Sequence, residues 1–140
     1  MEDGYEVKNG KGIMSKGHGL IIASHAFERC ADLKSIVIPN TVQYIGDRSF
    51  FGCSELESVV IPESVTEIGE GAFMDCPKLK SVKMPSSLEC IGDMAFSGCS
   101  SLKSINIPSP VSSIKKELSK TGIYVSYFKE ENIGGKSNKT

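Results

Sequence analysis

The sequence predicts a repeat solenoid, a mainly β chain wound in turns of 23 residues. Three observations carry this. The segments "AFERCADLKSIVIP" (from Ala26), "SFFGCSELESVVIP" (from Ser49), "AFMDCPKLKSVKMP" (from Ala72) and "AFSGCSSLKSINIP" (from Ala95) follow one another at a constant offset of 23 residues. Their apolar residues fall in columns: Phe27, Phe50, Phe73 and Phe96; Cys30, Cys53, Cys76 and Cys99; Leu33, Leu56, Leu79 and Leu102. Each copy closes on a proline, at Pro39, Pro62, Pro85 and Pro108. A strict period of about 20–30 residues marks an array in which one turn is too small to bury its own apolar side. Stacking solves this, because each Phe, Leu and Ile then packs on its own copies above and below.

Within a turn, Leu-x-x-Ile-x-Ile-Pro has the pattern of a short strand whose copies pair in parallel, about 4.8 Å apart. The proline ends it, since proline cannot donate to a ladder. A second apolar pair recurs between the copies: Val42/Ile45, Val65/Ile68, Leu88/Ile91 and Val111/Ile114. Gly46, Gly69 and Gly92 follow their isoleucines and mark a backbone turn that a side chain would hinder.

The flanks divide the chain further. Residues 1–21 are expected to cap the front of the stack, 22–113 to hold four repeats, 114–128 to cap the back, and 129–140 to form a polar, disordered tail. In the front flank Tyr5 and Val7 alternate ahead of Asn9-Gly10, a hairpin-turn dipeptide. Ile13 stands 23 residues before Ile36, so a degenerate strand is expected there, with Ile13 in the place of Ile36. In the back flank "SIKKELSKTG" reads as a short C-terminal helix ending near Gly122, and "IYVSYF" as a last strand.

The combined pattern I-G-x-x-A-F-x-x-C-x-x-L-x-x-I-x-I-P-x-x-V resembles the BspA-like leucine-rich repeats, over Ile22 to Ile114. The resemblance implies a right-handed, curved solenoid with one parallel sheet on its concave side. It also implies a protein-binding role, since many relatives are surface proteins of bacteria or protists. Three departures stand out: Ala23 replaces the glycine of the first unit, Ser49 replaces the alanine of the second, and the chain leaves the pattern after Ile114.

Composition narrows the function. Sixteen basic side chains face seventeen acidic ones, a formal net charge of -1. A dedicated nucleic-acid binder would carry a basic excess, and the absence of Trp removes large stacking platforms. The longest apolar run, Leu20 to Ala23, is far too short to span a membrane. The acidic start "MEDGYEVKNG" is not a secretory signal. Taken as whole, the chain would be cytoplasmic; taken as a fragment of a longer exported chain, it would sit at the cell surface or be secreted. Its oligomeric state is not legible.

No residues assemble into a catalytic, cofactor or metal site by sequence. The four in-register cysteines would form a straight column, not the converging set that tetrahedral zinc needs. Neighbours about 4.8 Å apart also lie beyond the usual Cβ separation of a disulfide, about 3.5–4.5 Å. They read as buried thiols acting as small hydrophobes, with Cys90, outside the column, the exposed one. His25 falls in a variable, solvent-facing column, and a Cys30–His25 dyad would need a residue of the buried ladder. Asp47, Glu70 and Asp93 read as a solvated turn. No phosphate loop or nucleophile elbow is present.

What remains is the strand surface. With Leu33, Ile36 and Ile38 pointing inward, Lys34, Ser35 and Val37 line the concave side. The same columns give Glu57 and Val60, then Lys80 and Lys83, then Lys103 and Asn106. The serine column between them is invariant and reads as structural. Lys34, Val37, Glu57, Val60, Lys80, Lys83, Lys103 and Asn106 are the candidate partner-binding residues. The expected function is a non-catalytic module that recognises a protein ligand, of acidic character, in surface adhesion or, alternatively, as an intracellular scaffold.

Overall fold

The computed structural model describes residues 5–14, 20–107 and 124–127. Eleven strands run along them: β1 (Tyr5–Lys8), β2 (Lys11–Met14), β3 (Ile21–Ile22), β4 (Ser35–Val37), β5 (Tyr44–Ile45), β6 (Ser58–Val60), β7 (Glu67–Ile68), β8 (Ser81–Lys83), β9 (Cys90–Ile91), β10 (Ser104–Ile107) and β11 (Tyr124–Tyr127). The expected C-terminal helix and polar tail lie outside the described residues.

The chain coils as a solenoid with three hydrogen-bonded sides. The first is a five-stranded sheet in the order β1-β2-β4-β6-β8. Its repeat strands are parallel and in strict register, with Ile36 opposite Val59 and Val59 opposite Val82. The second is a parallel sheet of two-residue strands, β3-β5-β7-β9, in addition to the single sheet that the resemblance implied. It is built from the second apolar pair of each turn: Val42, Ile45, Val65, Ile68 and Leu88 are all buried. The third side has no strands. There alternate N–H groups donate to the turn that follows, as from Phe27 to Ser49 (2.7 Å), Phe50 to Ala72 (2.8 Å) and Phe73 to Ala95 (2.8 Å).

The core lies between these sides. Phe27, Phe50, Phe73 and Phe96 stack face to face, with ring centroids 5.4, 4.9 and 5.2 Å apart. Tyr5 closes the front of that column, its ring edge-on to Phe27 at 5.4 Å and its hydroxyl accepting the Ala23 N–H at 2.9 Å. The thiols of Cys53, Cys76 and Cys99 donate to the carbonyls of Phe27, Phe50 and Phe73 at 3.0–3.1 Å, so the cysteine column also fastens one turn to the next. Cys30 departs from the expected ladder: it is only half-buried, and no full turn precedes it to cover it.

The glycines after the isoleucines sit against the preceding turn. A Cβ at Gly46 would lie 2.5 Å from the Ile22 carbonyl oxygen and 2.8 Å from the Ser24 nitrogen. Ala23 belongs to the first turn, which has no full turn before it, and this accounts for the alanine there.

The Asn9-Gly10 hairpin forms as expected. Both residues take positive φ, 53° and 81°, the pairing that a type I′ turn requires. The register of β2 differs from the expectation by one residue. Gly12, not Ile13, lies opposite Ile36, and a Cβ at Gly12 would crowd the Leu33 and Ile36 side chains at 2.9–3.0 Å. A one-residue slip sends a side chain to the other face, so Ile13 is part-exposed on the sheet's outer side (37%).

Candidate binding face

Alternation along the repeat strands places their side chains. Leu33, Ile36 and Ile38 are buried, whereas Lys34 and Val37 are exposed and Ser35 half-exposed. The following turns repeat this. All eight residues singled out from the sequence, Lys34, Val37, Glu57, Val60, Lys80, Lys83, Lys103 and Asn106, are exposed.

They form two rows across the strands. One runs Val37, Val60, Lys83, with Val37 opposite Val60 and Val60 opposite Lys83; Asn106 continues it one period on. The hairpin extends the row the other way, since the slipped register puts Ile13 beside Val37, and Glu6 pairs with Ile13. The apolar stretch is well exposed, Val37 at 70% and Val60 at 58%. The second row is Lys34, Glu57, Lys80, Lys103. Its first three members are joined through the backbone, the Glu57 N–H donating to Lys34 (3.0 Å) and the Lys80 N–H to Glu57 (2.9 Å). Lys103 also donates its ammonium to the Ser100 carbonyl at 3.0 Å, which anchors the side chain and leaves its charge. Ser35, Ser58 and Ser81 fill the row between, opposite one another.

Sequence reading missed Glu6, Lys8, Lys11 and Ile13 on this face. The signal was present in "KGIM": a glycine where the ladder needs no side chain puts Lys11 and Ile13 on the same side.

Charge is segregated. The face carries Lys8, Lys11, Lys34, Lys80, Lys83 and Lys103 against Glu6 and Glu57, a surplus of four positive charges. The other described residues hold only Arg29, Arg48 and Lys78 as cations, against ten carboxylates. Among the described residues one face is therefore basic and the remainder acidic, and fields of this kind steer acidic partners.

Among the described strands the ladder is interrupted once. β10 pairs with β11, not with β8, although the third side stays closed there, with Phe73 and Phe96 stacked at 5.2 Å. Beside this split lies a depression of about 490 Å³ over β6 and β8, bordered by Val60, Lys83, Met84 and Asn106. Val82, inward-facing like the buried Val59, is half-exposed in it.

Elsewhere the side chains do structural work. Asp47 accepts hydrogen bonds from the Tyr44 hydroxyl (3.1 Å) and the Glu70 N–H (2.9 Å). His25 is held by Glu28. Arg29 and Arg48 both lie over the Phe51 ring, at 5.0 and 5.5 Å. Among the described residues no three His, Cys, Asp or Glu side chains converge as a metal site would need. No helix among them is long and apolar enough to cross a membrane.

Comparison with known proteins agrees with this architecture. A leucine-rich repeat protein from Bacteroides ovatus superposes with a TM-score of 0.72 at 29% identity, over 79% of this chain and 28% of that one. A leucine rich cell surface protein from Faecalibacterium prausnitzii gives 0.71 at 28% identity, over 96% and 41%. The T. pallidum leucine rich repeat protein shares the fold, with a TM-score of 0.65 at 24% identity over 88% and 60%. The chain therefore spans less than two thirds of each of these proteins, from 28% to 60% of their length. No curated protein matches the sequence. The family model for the BspA type leucine rich repeat region (6 copies) matches residues 20–132, most of the sequence, and the chain belongs to that family.

Proposed function

We propose that this chain recognises an acidic protein partner through the outer face of its five-stranded sheet, as part of a longer cell-surface protein. Leucine-rich repeat proteins are generally non-catalytic binding modules, which supports a protein partner. The observation that carries the choice of face is the segregation of charge among the described residues. Four surplus positive charges lie along the exposed side of the five-stranded sheet and the adjoining β10 segment, beside a row of exposed valines, while the other described residues hold three cations against ten carboxylates. A merely solvated strand face would carry polar residues at Val37 and Val60. The surface location rests on the likeness to the Faecalibacterium prausnitzii cell surface protein.

The test is capture of proteins from neighbouring-cell surface extracts at low salt by the wild-type chain and by two variants. Lys80→Glu with Lys83→Glu should lose the captured protein and leave the melting curve unchanged, because both side chains point away from the core. Arg48→Glu with Glu70→Lys, on another side of the coil, should retain it. Capture that survives the lysine reversal and fails in the other variant overturns the assignment of the face.

A further inference from the structure

The split between β8 and β10 bears on what the partner presents. The two strands share no ladder, yet their Cα atoms still come within 8 Å. An inserted strand would need about twice the 4.8 Å inter-strand spacing, so the opening takes a side chain rather than a backbone. Its surroundings are mixed. Val60, Val82 and Met84 give the depression apolar walls, and Lys83 and Asn106 stand at its border. Lys80 and Lys103 are exposed in the neighbouring row, so the border of the depression and the row beside it carry three lysines. An apolar hollow with a few polar groups at its edge is the usual form of a recognition pocket, and one of about 300–1,000 Å³ holds a side chain with its neighbours.

We propose that this depression is the anchor point of the face, and that the occupant is a protein segment with one aliphatic side chain flanked by carboxylates. The aliphatic group enters between Val60, Val82 and Met84, and the carboxylates meet Lys80, Lys83 and Lys103. The charge complementarity selects an acidic segment, and the slot selects a single apolar residue within it. This rests on the reading of the sheet as the binding face and adds the chemistry of the ligand.

The test uses the whole chain and three fluorescein-labelled synthetic peptides: an acidic peptide with one central leucine, the same peptide with serine for leucine, and a version with lysines for the acidic residues. Anisotropy at low salt should show the leucine peptide binding at least about tenfold more tightly than the serine peptide, the equivalent of about 1.4 kcal/mol. The lysine version should not bind. Methyl resonances of Val60, Val82 and Met84 should shift with the leucine peptide. Ser58→Phe, which fills the depression from an exposed position, should bring the leucine and serine peptides to equal affinity. Equal binding of these two peptides to the wild-type chain, with both lost on reversing Lys80 and Lys83, overturns the anchor while leaving the face. Peptide binding indifferent to the lysine reversal overturns the face itself. Salt-sensitive self-association that blocks the peptides and is lost on the same reversal makes the occupant a second copy, and also overturns the proposal.

Discussion

Phe50 and Phe73 stack with ring centroids 4.9 Å apart and planes within 1° of parallel. Both rings are fully buried, and each sits in the environment of its neighbour moved by one turn. Truncating Phe73 would empty the middle of this column, with rings left on both sides that the backbone hydrogen bonds of the third side keep from collapsing inward. Phe73→Ala should cost roughly 3–5 kcal/mol. Urea melts check this, and a loss below about 1 kcal/mol would contradict the stacked core.

Ser49 offers the opposite experiment. It stands in the column otherwise held by Ala26, Ala72 and Ala95, it is fully buried, and its hydroxyl has no hydrogen-bond partner among the described residues. An unsatisfied buried hydroxyl costs about 1–3 kcal/mol. Ser49→Ala removes the group and restores the residue of the other turns, so it should raise stability by about 1 kcal/mol, seen as a higher urea midpoint at unchanged slope. A lower midpoint would mean that the hydroxyl is satisfied.

The period, the strand, the inward Leu and Ile columns and the exposed Lys and Val columns were all legible in the sequence, because stacked turns share one environment and therefore one residue type. Three features were not. The strands β3, β5, β7 and β9 are two residues long, too short for alternation to show. The hairpin carries one residue more than the period allows, which moved Ile13 from the inner to the outer side. The split after β8 leaves no mark, since "LKSINI" copies the earlier strands residue for residue in pattern. The binding face was legible only where its columns vary, and for that reason Lys8 and Lys11, outside the repeats, were missed.

Gly46 tests how closely the turns are stacked. A Cβ there would fall 2.5 Å from the Ile22 carbonyl oxygen and 2.8 Å from the Ser24 nitrogen. Both are backbone atoms, which cannot swing aside as a flexible side chain can. Gly46→Ala should destabilise by at least the roughly 1–3 kcal/mol of an overpacked core. Ala23→Gly, at the matching place in the first turn, should change stability by about 1 kcal/mol or less, the conformational cost of a glycine. Thermal melts of the two variants compare them directly, and equal losses would show that the inter-turn contact is not what selects glycine.

The thiols supply a prediction in rate and in pH. Cys90 is exposed, Cys30 half-buried, and Cys53, Cys76 and Cys99 are buried and donate to backbone carbonyls. Alkylation of the folded chain should therefore modify Cys90 first, Cys30 more slowly, and the other three only on unfolding. Partial burial and the nearby Glu67 carboxylate hold the Cys90 thiol above its ordinary pKa, so Glu67→Gln should speed its alkylation at mildly alkaline pH. Cys76 is pushed up from 9.0 to about 12, first by its hydrogen-bond contact with Cys53 and further by burial. The unfolded chain would ionise at this position near 9.0 while the folded thiol keeps its proton, so the folded state binds more protons between the two values. Its contribution to stability is then complete below 9.0 and is lost as pH rises toward 12. Denaturant midpoints should fall across that window in the wild-type chain and fall less in Cys76→Ala, measured relative to each protein's own neutral-pH midpoint. A wild-type midpoint that holds steady through the window would show that the thiol column is open to solvent.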